Sequence, residues 1–192
     1  GFNTGGTHNF LSVLIGTNVG RLISTVNNYG TIGIGHETLY MLTEGQQNTT
    51  LGYGALRFEA KGDFSTAIGY QALRMQTGTD GTVGSTAIGY RAGYNATSGI
   101  NGTSVGAVNN PSSGSADNEI VIGYGVTGLG DNQTVIGNSS QTHVVCGGDA
   151  LISGSAQSTG SFGKVVGEGS ELTNLQRPIT THIANFTASM AY

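Results

Sequence analysis

Asn48-Thr-Thr-Leu-Gly-Tyr-Gly-Ala-Leu56, Ser65-Thr-Ala-Ile-Gly-Tyr-Gln-Ala-Leu73 and Ser85-Thr-Ala-Ile-Gly-Tyr-Arg-Ala-Gly93 are three renderings of one phrase. Working outward from them, a glycine preceded by an aliphatic residue recurs at Gly16, Gly35, Gly52, Gly69, Gly89, Gly106, Gly123 and Gly137, at spacings of 19, 17, 17, 20, 17, 17 and 14. Before these anchors stand Ile15, Ile34, Leu51, Ile68, Ile88, Val105, Ile122 and Ile136. Three before them stand Val13, Ile32, Thr49, Thr66, Thr86, Thr103, Ile120 and Thr134, all β-branched. Self-similarity at a fixed short period is the signature of a solenoid.

In a strand, positions −3 and −1 share one face, and −2 and 0 share the other. The −3/−1 face is predicted to be the packed one, because β-branched side chains suit a pleated core. Ile68 and Ile88 are then expected to form a buried ladder between Leu51 and Val105. The −2/0 face holds glycine and small residues (Gly33, Thr50, Ala67, Ala87, Ser104) and is expected to meet a neighbouring backbone layer. Gly45, Gly62, Gly99 and Gly130, seven before an anchor, are expected to supply positive-φ turns. The 20-residue spacing is read as an insertion within 75–84, placed in a loop.

Composition agrees with a weakly charged β protein. Charged residues are 9% of 192, against roughly 25% in ordinary domains, and glycine is 34 of 192. Such a chain is short of the Glu, Lys and Arg that stitch coiled coils, and short of the charge typical of disorder. A net charge of −4 with seven basic residues argues against a nucleic-acid surface. The single Cys146 excludes an intrachain disulfide framework. No apolar run reaches the ~18 residues of a membrane span, and no signal peptide is visible at the start. With no initiator Met and an apolar last stretch, the chain reads as a piece of something longer.

The three repeats resemble the head repeats of trimeric autotransporter adhesins, and more closely the related repeats of bacteriophage tail fibres. Gly130-Asp-Asn-Gln-Thr-Val-Ile-Gly-Asn138 and His143-Val-Val-Cys-Gly-Gly148 resemble the last coil and exit of such rolls. Val166-Gly-Glu-Gly-Ser-Glu-Leu-Thr-Asn-Leu175 is similar to a segment that follows in phage fibre proteins. The resemblance implies an all-β, left-handed parallel β-roll of about 17 residues per coil, assembled as a homotrimer. It implies a lead-in at 1–9, a roll at 10–147, an exit segment at 148–175 and a further module from 176 to 192. The coils outside the three clear repeats depart from the pattern, lacking the anchor+1 tyrosine or the Ala-Leu pair.

The function so implied is non-enzymatic: a structural and attachment segment of a viral tail fibre, extracellular and on the virion. Its partners are copies of itself, other tail or fibre proteins, and a host-surface glycan or protein, with no nucleic acid, no membrane insertion and no cofactor. The alternatives are a bacterial adhesin head displayed on the cell surface and, far behind, a left-handed β-helix acyltransferase. The hexapeptide pattern of those enzymes fits Ile34–Leu39, Ile68–Leu73 and Ile122–Thr127, but the hexad after Ile68 fails at Arg74.

Tyr53, Tyr70, Tyr90 and Tyr124 share the anchor+1 column. They are candidates for surface contact with glycans through rigid aromatic area, or for stacking coil upon coil. Gly123-Tyr-Gly-Val-Thr-Gly128 matches a dinucleotide-binding pattern, but no helix is predicted after it. Gly102-Thr-Ser-Val-Gly106 matches a nucleophile-elbow pattern, yet falls inside a strand. His143 and Cys146 lack a second pair to complete a zinc set, which leaves His143 the remote role of an ion ligand on a threefold axis.

Overall fold

The computed structural model describes residues 12–23, 29–78 and 81–141. Contacts divide the chain into two units, Gly1–Val144 and Val145–Tyr192, and every described residue belongs to the first. Gly148, the Val166–Leu175 segment, Cys146 and His143 lie outside the described residues.

The unit is a β-solenoid. Eight three-residue strands form one sheet: Val13–Ile15 (β1), Ile32–Ile34 (β2), Thr49–Leu51 (β3), Thr66–Ile68 (β5), Thr86–Ile88 (β7), Thr103–Val105 (β8), Ile120–Ile122 (β9) and Thr134–Ile136 (β10). Each pairs in parallel with the next coil's strand, with the residue before one anchor on the residue before the next: Ile15 with Ile34, Ile34 with Leu51, Leu51 with Ile68, Ile68 with Ile88 and Ile88 with Val105. The anchor N–H then donates to the carbonyl of the residue before the preceding anchor, as from Gly69 to Leu51 at 2.7 Å and from Gly89 to Ile68 at 2.8 Å. A second ladder runs along another side of the coil, from Leu39 N to Ala55 O, Leu56 N to Ala72 O and Leu73 N to Ala92 O.

The packed face is the opposite of the one expected. The −2 column points inward, with Ala67 and Ala87 fully buried and Leu14, Thr50, Ser104 and Val121 also buried. The −3/−1 column points outward: Ile88 is 42% exposed, Leu51 48% and Ile136 53%, with Val13, Ile15, Ile32 and Ile122 exposed beside them. The interior is completed by the Ala-Leu pair at anchor+3 and +4: Ala55, Leu56, Ala72, Leu73 and Ala92, together with Leu39 and Leu42. A coil this small is filled by mostly small side chains from the sheet and one or two leucines from across the coil. The branched residues at −3 and −1 are turned out.

Two consecutive buried residues break strand alternation, and the backbone shows how. Leu39, Leu56 and Leu73 sit at φ 54, 50 and 47, the left-handed region, which turns both members of the pair inward. That conformation costs a non-glycine residue roughly 1–2 kcal/mol, offset by full burial of a leucine. A left-handed residue also recurs five before the anchor, at Gln47, Phe64, Asn101, Asn118 and Asn132. Of the four glycines expected to turn at anchor−7, Gly130 does so, at φ +144. Gly45, Gly62 and Gly99 do not have positive φ, and in their coils the left-handed residue is the one at anchor−5; a Cβ at these three would strike Gly62, Glu59 with Val83, or Ala116, so they allow coils to approach.

The extra residues of the long coil are more firmly tied than a loop insertion would be. Gly62–Asp63 (β4) pairs with Gly81–Thr82 (β6), a step of 19, while Thr66 pairs with Thr86, a step of 20. Fully buried Glu59 anchors the near side. One carboxylate oxygen accepts from the N–H groups of Ala60, Lys61 and Gly62, the other from Gly78 N–H and Gln76 Nε2. Glu119 does the same three coils on, accepting from Ser112 N–H and Oγ and from Gly130 N–H.

Two stability predictions follow from this geometry. Gly69 sits at φ +131, and a Cβ there would collide with the Gly89 carbonyl; Gly69→Ala is expected to cost at least about 2 kcal/mol in urea unfolding. Glu59→Ala leaves the buried N–H groups of Gly62 and Gly78 without their acceptor and Gln76 Nε2 with Ser65 Oγ alone, at ~1–3 kcal/mol for each unsatisfied group, so a loss of several kcal/mol is expected, and a loss below about 1 kcal/mol would contradict the nest.

Candidate surface ladders

Each coil repeats its side chains at the strand spacing of ~4.8 Å, so like residues in one column must stack or splay. The anchor+1 column stacks. The rings of His36 and Tyr53 lie 5.2 Å apart, Tyr53 and Tyr70 5.2 Å, and Tyr70 and Tyr90 5.3 Å, with interplanar angles of 10°, 13° and 11°. The expected tyrosines Tyr53, Tyr70 and Tyr90 are thus brought together and extended by His36, which the tyrosine pattern had missed. Tyr124 is not part of the stack among the described residues: Ala107 occupies the column in the coil between, and Tyr124 is 73% exposed.

Stacking decides what this column can offer. The ring faces of Tyr53 and Tyr70 are covered by their neighbours, so they present edges and hydroxyls outward, although both side chains are exposed. A sugar ring stacking on an aromatic face finds none free along the middle of the ladder. Hydroxyl hydrogen bonding is what the column provides.

A second ladder lies past the buried Ala-Leu pair. Arg21, Tyr40, Arg57, Arg74 and Tyr94 share the anchor+5 column, flanked by Phe58 and Arg91. Guanidinium and ring alternate: Arg21 over Tyr40 at 5.6 Å, Arg57 over Tyr40 and Phe58 at 5.0 Å each, Arg74 over Phe58 at 5.0 Å and Tyr94 at 5.7 Å, and Arg91 over Tyr94 at 4.2 Å. Arg21 and Arg74 also donate to the Tyr40 and Tyr94 hydroxyls, the latter at 2.8 Å. Sequence reading overlooked this ladder because the column mixes Arg and Tyr, Phe58 enters from anchor+6 and Arg91 from anchor+2. The signal was there: four of the chain's seven basic residues belong to this one stripe.

The third surface feature is the outward aliphatic stripe of the sheet, from Val13 to Ile136, which includes Ile34, Ile68 and Val105 as its half-buried members. The anchors Gly35, Gly52, Gly69, Gly89, Gly106, Gly123 and Gly137 line its edge. Ser104, the serine of the elbow-like pattern, points into the interior instead. Among the described residues, no group of three His, Cys, Asp or Glu side chains could hold a metal ion, and no helix is long and apolar enough to cross a membrane.

No family model, curated protein or solved structure matches the chain.

Ring stacking adds roughly 0.5–1.5 kcal/mol per pair, and Tyr70 has two partners. Tyr70→Ala is expected to lower unfolding free energy by about 1–3 kcal/mol, whereas Tyr124→Ala stays within about 0.5 kcal/mol. Equal effects in urea titrations would show that the ladder carries no stability.

Proposed function

We propose that the chain is a structural and attachment segment of a homotrimeric fibre of the phage tail type, acting outside cells on the virion. The observation that carries this reading is the outward aliphatic stripe. Seven large apolar residues of the sheet columns are exposed on one face of one chain. Contiguous apolar surface of this kind marks a face that another molecule covers.

Copies of the same chain fit that face well. Every copy presents the stripe with the same coil-to-coil repeat, so side chains of neighbouring rolls can interleave in register along the whole sheet. Rolls packed side by side about a common axis form a closed cyclic assembly without free heterologous surfaces. The number three, the left-handed sense of the coils and the viral setting come from the resemblance of the repeats. A shared apolar axis and continuous hydrogen-bonded ladders make a stiff rod, the mechanical quality that a spacer or host-contacting fibre needs.

Light scattering of the purified chain at micromolar concentration is expected to give about three times 19.5 kDa. A folded, monodisperse monomer would overturn the proposal. Ile88→Lys, which puts a charge in the stripe, is expected to abolish the trimer mass. Leu129→Lys, at a residue 72% exposed and outside the strand columns, is expected to keep it.

A further inference from the structure

Among the described residues, the arginine–aromatic ladder holds more positive charge than its carboxylates neutralise. Arg57 pairs with Glu37 at 2.9 Å, and the other ion pair among the described residues is Lys61 with Glu44. Arg21, Arg74 and Arg91 have no carboxylate partner among the described residues. Their guanidiniums lie against ring faces and tyrosine hydroxyls instead, and the Nε atoms of Arg74 and Arg91 are buried without a hydrogen-bond partner. Holding positive charge this way in a chain of net charge −4 makes a local electropositive stripe on an otherwise acidic molecule.

The spacing narrows what the stripe suits. Four guanidiniums are spread over four coil steps, roughly 19 Å at ~4.8 Å per step. Duplex DNA carries a charge every ~1.7 Å, far denser than the stripe can match. Binding of single-stranded nucleic acid relies on aromatic faces open to bases, and here Tyr40, Phe58 and Tyr94 are already faced by arginine. A guanidinium held against aromatic rings has five N–H donors, of which the hydrogen bonds of Arg21 and Arg74 to tyrosine hydroxyls use one each; the remaining donors suit a carboxylate, the partner that the fork geometry matches best.

We propose that Arg21, Arg74 and Arg91 form a track for an extended, carboxylate-bearing polysaccharide that runs along the solenoid axis, with Arg57 between them already held by Glu37. The stacked rings hold each guanidinium in place before the ligand arrives, so little side-chain freedom is lost on binding. The proposal deepens the attachment role and rests on it for the setting in which such a polymer is met. Assembly is read by mass and the track by binding, so either can fail while the other stands.

The test uses the full chain in its native assembly, with polygalacturonate as the probe and calorimetric titration as the readout. Polygalacturonate is expected to bind, to bind more weakly as salt rises, and to lose binding when its carboxylates are methyl-esterified. The double variant Arg74→Gln/Arg91→Gln is expected to bind at least about tenfold more weakly, since it loses two charge-assisted contacts, while Lys61→Gln binds as the wild type does. Should the double variant lose its cooperative melting, Arg21→Gln, exposed at the end of the stack, is expected to weaken binding with melting unchanged. The proposal is overturned by any of four results: no binding of polygalacturonate, undiminished binding by the folded arginine variants, an equal loss in Lys61→Gln, or tighter binding of single-stranded DNA or anionic phospholipid vesicles.

Discussion

Successive coils of this solenoid touch backbone to backbone at the anchor glycines. At Gly35, Gly52, Gly69, Gly89 and Gly106 the backbone takes φ between +126 and +137, and an added Cβ would run into the carbonyl of the next anchor. This contact draws the corner of every coil tight, and the tight corner leaves a narrow interior. The narrow interior in turn sorts the side chains. Mostly alanine, serine and threonine with one or two leucines per coil fit inside, and the branched residues at −3 and −1 of the same strands are turned to the outer face. Stacked rings, the guanidinium ladder and the apolar stripe are all consequences of repeating one tight coil at one spacing.

Polar groups inside such a thin core need partners within reach, and the chain supplies them in two ways. Short side chains reach along the axis: inside, Thr38 Oγ1 donates to the Ala55 carbonyl at 2.9 Å; at the rim, half-buried Asp63 accepts from Gln46 N–H at 2.7 Å, and exposed Asp117 and Asp131 accept from Ile100 N–H at 2.9 Å and Asp117 N–H at 3.0 Å. Asn48 bridges two coils, accepting from Ser65 N–H and donating to the Gly62 carbonyl. At Glu59 and Glu119 a whole carboxylate is enclosed and met by N–H groups. Buried polar groups are tolerated because they are hydrogen-bonded, and here they also fix which coil follows which.

The repeat, the strands and the pairing register could be read from the sequence, because a column of glycines with β-branched residues at fixed offsets leaves one way to align the coils. Which face turns inward was not legible from the same columns. The expectation that Ile68 and Ile88 are core treats burial as a matter of side-chain type, which holds where a core is several layers deep. In a coil of about 17 residues volume decides instead, and Ala67 and Ala87 win the interior. The consecutive Ala-Leu pair was the clue to the true core, visible in Ala55-Leu56 and Ala72-Leu73. It was hidden because two buried neighbours require a left-handed leucine, a conformation that no propensity scale would suggest. Of the candidate contact residues, Tyr53, Tyr70 and Tyr90 were legible as one column, whereas the arginine ladder needed the cross-coil geometry to appear.

The central claim is that the aliphatic face, turned out of one coil, is covered by the same face of other copies. Spin labels at an Ile88→Cys site, in a Cys146→Ser background, would report the distance between copies by pulsed dipolar spectroscopy, with a label at Lys61→Cys for comparison. The account predicts a short, single distance at position 88, on the order of the ~10 Å between packed sheet faces plus the label arms, and a clearly longer one at position 61. Absence of dipolar coupling at position 88, or a shorter distance at position 61, would contradict it.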